Sequence, residues 1–200
     1  GIWVLLDEVY GRLVYESQHE HLRADSFLDV AEEDDLLLVV NSFSKSWAMT
    51  GWRLGWIVGP PAAEDKIRDV ALYNNLCPPT FTQYGAIAAL EEGEPFLKSQ
   101  IDLWRSNRDL LVERFKKLGN IHMAYPEATF YGFFKVDGEP DCKTLTKRLV
   151  DEAGVLLSPG CAFGETAKGY IRMCFAVSVK RLTAALDRME KVLTSADLRR

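Results

Sequence analysis

The sequence predicts an α/β fold with a mostly parallel sheet, followed by a small α+β domain, and three observations predict it. Residues 2–6 and 36–40 are short unbroken apolar runs, the pattern of strands buried on both faces of a parallel sheet. Each run leads into polar, chemistry-bearing residues: D-E-V-Y after the first and N-S-F-S-K after the second. From residue 121 onward, short strand patterns alternate with two helical ones.

In chain order, the first run delivers Asp7 and Tyr10 to a strand's C-terminal end, where open α/β sheets bind their ligands. A carboxylate and a phenol there could equally close a strand for capping or solubility. Residues 12–26 are polar and contain His19-Glu20-His21. With His122 the only other histidine, this H-x-H reads as a solvated loop and not as a metal site. An acidic connector over 27–35 then leads to the strand at 36–40.

That strand opens the stretch 41–56, N-S-F-S-K-S-W-A-M-T-G-W-R-L-G-W, where Lys45 sits on a turn too polar to be core. An ammonium desolvated at a sheet edge can shift its pKa as an imine-forming lysine must. The alternative is an ordinary solvated loop lysine. Trp47, Trp52 and Trp56 are expected to crowd around it, and Gly51 and Gly55 to permit close backbone approach. Arg53 offers a planar fork of donors suited to a phosphate, and Ser42 and Ser44 can add hydroxyls. A structural salt bridge is the other role open to Arg53.

After Pro60-Pro61, residues 62–73 have helical spacing, with proline as the start signal. Residues 74–80, with Cys77-Pro78-Pro79, form a loop, and 81–91 a second helix. A long helical period over 95–118 ends at Gly119-Asn120 and links two domains; a partner-binding amphipathic helix would look similar. Beyond it come strands at 121–124, 130–136, 155–158 and 171–175, and helices at 142–152 and 179–193. The expected organisation is a domain over 1–93, a connecting helix over 94–118 and a small domain over 119–200. On the last strand Arg172 alternates with apolar neighbours, an expensive core residue unless it meets an anion. A ligand carboxylate or a buried Glu or Asp would serve.

Composition narrows the class. The chain has 200 residues, 48% hydrophobic and 26% charged, an ordinary globular mix able to bury a core. A net charge of −5 gives no reason to expect nucleic acid or an anionic membrane as partner. No apolar run approaches the roughly 20 residues of a membrane span, and nothing at the start reads as a targeting peptide, so a soluble cytoplasmic protein is expected. The four cysteines, Cys77, Cys142, Cys161 and Cys174, lack C-x-x-C spacing and suit free thiols in a reducing compartment.

The segment S-x-S-K-x-W-x-M-T-G-W-R-x-G at 42–55 resembles the lysine signature of the class I/II aminotransferases, fold-type I enzymes that use pyridoxal 5'-phosphate (PLP). D-x-x-Y at 7–10, P-E-A-T-F-Y at 126–131 and G-V-L-L-S-P-G-C-A-F-G at 154–164 resemble the same family in the same order, so the resemblance spans the chain. One departure is Ala128, where the family usually has glycine, which bears on the local turn geometry.

The resemblance implies that residues 1–93 are the C-terminal part of the PLP-binding large domain and 119–200 the small C-terminal domain. It implies a Schiff base between PLP and Lys45, with Lys45 then serving as general base and acid. Asp7 would pair with the protonated pyridine nitrogen and Tyr10 with the cofactor's phenolate oxygen. Arg53 and Ser42, with Ser44 beside them, would hold the phosphate. Arg172 would clamp the substrate α-carboxylate. The loop 74–80 would lie near the active site and the partner subunit. The implied reaction is a ping-pong transfer of the amino group of an L-amino acid to a 2-oxo acid, in a homodimer whose N-terminal half lies outside this sequence. Two other readings stay open: a β-lyase or aminocyclopropane-carboxylate synthase on the same residues, and a non-catalytic binding or regulatory module.

Overall fold

The computed structural model describes residues 1–19 and 21–194; Glu20, between the paired histidines, lies outside the described residues. Two compact units make up the chain, Gly1–Ile101 and Asp102–Arg200.

In the first unit, β1 (Val4–Asp7) and β2 (Leu37–Ser42) pair in parallel, and β3 (Gly55–Val58) returns antiparallel to β2. The three-stranded sheet, in the order β1-β2-β3, is therefore mixed and not mostly parallel. The connection decides this. After β2 the chain folds into the single-turn helix α1 (Phe43–Ser46) and a 3-10 turn at Thr50–Trp52. That is a tight reversal, whereas a parallel return needs a long crossover.

The expected burial of the first strand on both faces is also corrected. Ile2 is 87% and Leu5 68% exposed, because no side chains among the described residues cover them. The core gathers instead on Leu37 and Val39 of β2 and on Leu13, Val14 and Tyr15, which stand in a stretch whose sequence reads as polar. A second cluster joins Phe43, Trp47, Met49 and Ala86.

Helices α2 (Glu64–Asn75) and α3 (Thr80–Glu92) stand where their spacing puts them, but α2 buries none of its residues and α3 only Thr82 and Ala86. Val70, Tyr73, Phe81 and Tyr84 are exposed. Gly93 ends α3. A Cβ there would stand 2.2 Å from the Ala89 carbonyl oxygen and 2.6 Å from Trp47 Nε1, so the bare Cα is what lets the indole close on the helix end.

Helix α4 (Glu94–Leu118) contains the division between the units. In the second unit β4 (Ile121–Met123), β5 (Tyr131–Val136), β6 (Ser158–Pro159) and β7 (Tyr170–Cys174) form an antiparallel sheet in the order β4-β5-β7-β6. The strand expected at 155–158 is thus shorter, with Val155 and Leu157 supplying buried side chains just ahead of it. Two helices, α5 (Cys142–Ala153) and α6 (Val179–Leu193), start at side-chain caps from Asp141 and Ser178. Phe134 and Ile171 are paired across β5 and β7 and fully buried with Phe115, Leu149 and Leu186. By strand alternation the neighbouring pair, Phe133 and Arg172, faces the other side.

The turn before β5 carries its left-handed residue at Thr129, φ 63°, and not at Ala128. Alanine in the family's glycine position therefore fits this turn. Among the described residues no helix is long and apolar enough to cross a membrane.

Candidate active site

Asp7 is paired with Val40 across the parallel strands, so β1 and β2 end at one edge of the sheet and both chemistry-bearing segments leave from it. After β1, Asp7 Oδ1 accepts the Val9 amide at 3.2 Å, a turn that leads to Tyr10. After β2, Ser42 caps α1: its Oγ accepts the Ser44 amide at 3.1 Å and donates to the Leu54 carbonyl at 3.3 Å. This cap starts the turn that bears Lys45. The Ser42 proton is thereby engaged, while the buried Ser44 hydroxyl has no hydrogen-bond partner among the described residues.

Lys45 is half-buried, and its Nζ stands 5.8 Å from the centre of the Tyr10 ring. No carboxylate among the described residues pairs with it. The three tryptophans do not crowd the amine as expected. Trp47 and Trp56 pack against Phe43, at 5.2 and 5.0 Å between ring centres, and Trp52 is exposed and reaches Gly85. Phe43 is buried, and both indoles pack on it. Of the two glycines, only Gly55 serves close approach: a Cβ there would stand 2.4 Å from the Asn41 carbonyl oxygen, whereas Gly51 has open space.

Arg53 has φ 53° and ψ 47°, and its Nη1 donates to the Thr50 carbonyl at 2.9 Å. It has no carboxylate partner among the described residues, so the salt-bridge alternative finds no support. Ala48 is left-handed as well, φ 53°, so two non-glycine residues in that region flank the 3-10 turn. Such backbone costs on the order of 1 kcal/mol per residue and concentrates at ligand clamps. Arg53 also lines a cavity of about 700 Å³ with Val40, Asn41, Trp56, Asn75 and Leu76; Lys45, Asp7 and Tyr10 are not among its walls. The α2–α3 connection thus contributes to the space before Arg53.

Arg172, in the second unit, is not a core residue. It is half-buried on the outer face of β7, with its Cζ 4.4 Å from the Tyr131 ring centre and 4.3 Å from that of Phe163. No ion pair to it exists among the described residues. Two ring faces hold the guanidinium plane and leave its N–H edges to an anion. The stacking by Phe163 was not read from the sequence, although the residue lies in a recognised motif. Asn107 was missed too. It is fully buried on the Trp104–Leu111 stripe of α4, and its Nδ2 donates to the carbonyls of Phe175 and Val177 at 2.9 and 2.7 Å. An amide amid apolar helical spacing was the available signal. Away from the site, His19 of the H-x-H segment pairs with Asp25 at 2.8 Å.

The family model for aminotransferase class I and II matches residues 1–189. The aspartate aminotransferase of Thermotoga maritima is 38% identical over 195 residues, covering 98% of this chain and 48% of that protein. The aromatic-amino-acid aminotransferase 2 of Thermococcus litoralis is 32% identical, covering 98% and 50%. Among solved structures, the Thermotoga maritima enzyme has a TM-score of 0.84 at 37% identity, covering 96% of this chain and 48% of that one. The aromatic aminotransferase of Pyrococcus horikoshii has a TM-score of 0.88 at 32% identity, covering 98% and 52%. The chain spans about half the length of these relatives. It belongs to the class I and II aminotransferase family.

Proposed function

We propose that this chain is the C-terminal half of a PLP-dependent aminotransferase, with residues 1–93 in the cofactor-binding domain, 94–118 as the link and 119–200 as the small domain. The observation that carries it is the shared sheet edge: the register of Asp7 with Val40 brings a carboxylate and the unpaired Lys45 amine out of adjacent strand ends. The donor set fits the cofactor. Lys45 would hold PLP covalently, Asp7 its ring nitrogen, Tyr10 its phenolate oxygen, and Arg53 with Ser44 and Ser42 its phosphate. Of these hydroxyls, Ser44 has the free donor.

Bound there, PLP supplies an electron sink for negative charge at the substrate α-carbon. Asp7 would hold the protonated ring nitrogen by its negative charge. Arg172 takes the substrate α-carboxylate on a two-donor edge and so fixes the direction of the Cα–H bond. The Lys45 amine would remove the α-proton and return it, as general base and then acid. Alternation of an amino acid and a 2-oxo acid on one site makes the kinetics ping-pong. The relatives named for aspartate and aromatic amino acids make these the first amino donors to assay. A cytoplasmic homodimer is the proposed assembly.

The test uses the full-length protein. Added PLP is expected to produce an absorbance band near the visible edge that Lys45→Ala abolishes, and double-reciprocal plots for the two substrates are expected to be parallel. Ammonia and pyruvate in place of a new amino acid would make it a lyase; no band at all would make it a non-catalytic module.

A further inference from the structure

The outer face of the β5–β7 pair carries a row of rings beside Arg172. By register Phe133 stands directly across from Arg172, with the two Cβ atoms about 5 Å apart. A ring opposite an arginine is the natural cover for its guanidinium, yet Phe133 does not lie against it. The rings that do are Tyr131, 4.4 Å away and one pair further along the same face, and Phe163, 4.3 Å away on the turn Gly160–Phe163. Phe133 is turned elsewhere. Its ring is stacked on Tyr170, two residues before Arg172 on β7, at 4.8 Å between centres and 3° between planes. Lys135, paired with Tyr170 across the strands, sets its ammonium 5.6 Å from the centre of the same ring. Phe163 meets Phe133 only edge-on, at 6.5 Å and 78°.

We propose that Tyr170 is a positioning residue for Arg172, acting by holding the Phe133 ring clear of the guanidinium's N–H edges. The inference rests on the reading in which those edges take the substrate α-carboxylate. Tyr131 and Phe163 already lie over the guanidinium. A Phe133 side chain freed from its stack and swung to another rotamer therefore comes against the donors instead. An anion then has to displace a ring before it binds. The Tyr170 hydroxyl makes no hydrogen bond among the described residues, so the ring face alone carries the effect. Phenylalanine in its place keeps that face and leucine removes it. What changes is access to the donors of the carboxylate, so the loss falls on substrate binding and not on proton transfer.

The first measurement follows the Arg172 Nε–H resonance by NMR in the chain carrying isotope-labelled arginine, identified by its loss in Arg172→Lys. Tyr170→Leu is expected to move it and Tyr170→Phe to leave it in place. Tyr170→Leu combined with Phe133→Leu is expected to bring it back, since the competing ring is gone. In the full-length protein Tyr170→Leu is expected to raise KM for the amino acid about threefold, with kcat within about twofold of wild type. Tyr170→Phe should match wild type in both. An Arg172 resonance that Tyr170→Leu leaves unmoved would overturn the proposal. So would a double variant that stays with Tyr170→Leu, or a Tyr170→Phe protein as impaired as Tyr170→Leu. Full-length protein without transaminase activity would remove the proposed function, and the resonance in the chain would still decide whether Tyr170 positions Arg172.

Discussion

The guanidinium carbon of Arg172 lies 4.3 Å from the centre of the Phe163 ring. The ring comes from the turn Gly160–Phe163 and the arginine from β7, so a contact between two elements sets the plane of a cation that has no carboxylate partner among the described residues. Phe163→Leu keeps apolar volume and removes the π face. On the proposed transamination, in the full-length protein it is expected to raise KM for the amino acid about tenfold while kcat changes less than about twofold. Equal falls in kcat and kcat/KM would contradict a role in ground-state carboxylate binding.

Asn107→Ala takes its donor from the part-buried Val177 carbonyl and leaves the buried Phe175 carbonyl with the Val177 amide alone. The expected loss is about 2 kcal/mol, read from urea unfolding of the chain. A midpoint within error of the wild type would mean that water takes over the amide's place.

Gly93→Ala forces a Cβ into the Ala89 carbonyl and the Trp47 indole. Because the first obstacle is backbone, the end of α3 must shift. Destabilisation of about 2 kcal/mol is expected, with a change in Trp47 fluorescence reporting the displaced indole.

Asp29 offers a pH readout. Its hydrogen bond from Arg23, helped by the Ser26 amide, lowers its carboxyl to about 2. Since the folded value lies below the unfolded one of about 3.9, the contribution to stability is present above that pH and is lost as pH falls towards about 2. Carbon-detected NMR titration should place Asp29 near that value, and Arg23→Met should return it towards the ordinary carboxylate range.

What the sequence makes legible is what short stretches encode. An apolar run ending in S-F-S-K is enough to place Lys45 just beyond a strand, and the period of residues 95–118 is enough for α4. The direction of β3 was not legible, because it depends on left-handed backbone at Ala48 and Arg53, residues that do not advertise that conformation. The polar stretch hid Leu13, Val14 and Tyr15 because three adjacent apolar residues show no period. Arg172 looked like a core arginine because the pattern reveals its apolar neighbours but not which face they share. Its aromatic clamp comes from Tyr131 and Phe163, distant in sequence and close only after folding.

The bare margin of the first unit has a practical side. Among the described residues β1 is the outermost strand of its sheet, with one flank unpaired beside the exposed Ile2, Trp3 and Leu5. Such a border is adhesive in water. Purified alone and concentrated, the chain will therefore clump through that strand, and light scattering should fall when Leu5 is replaced by lysine.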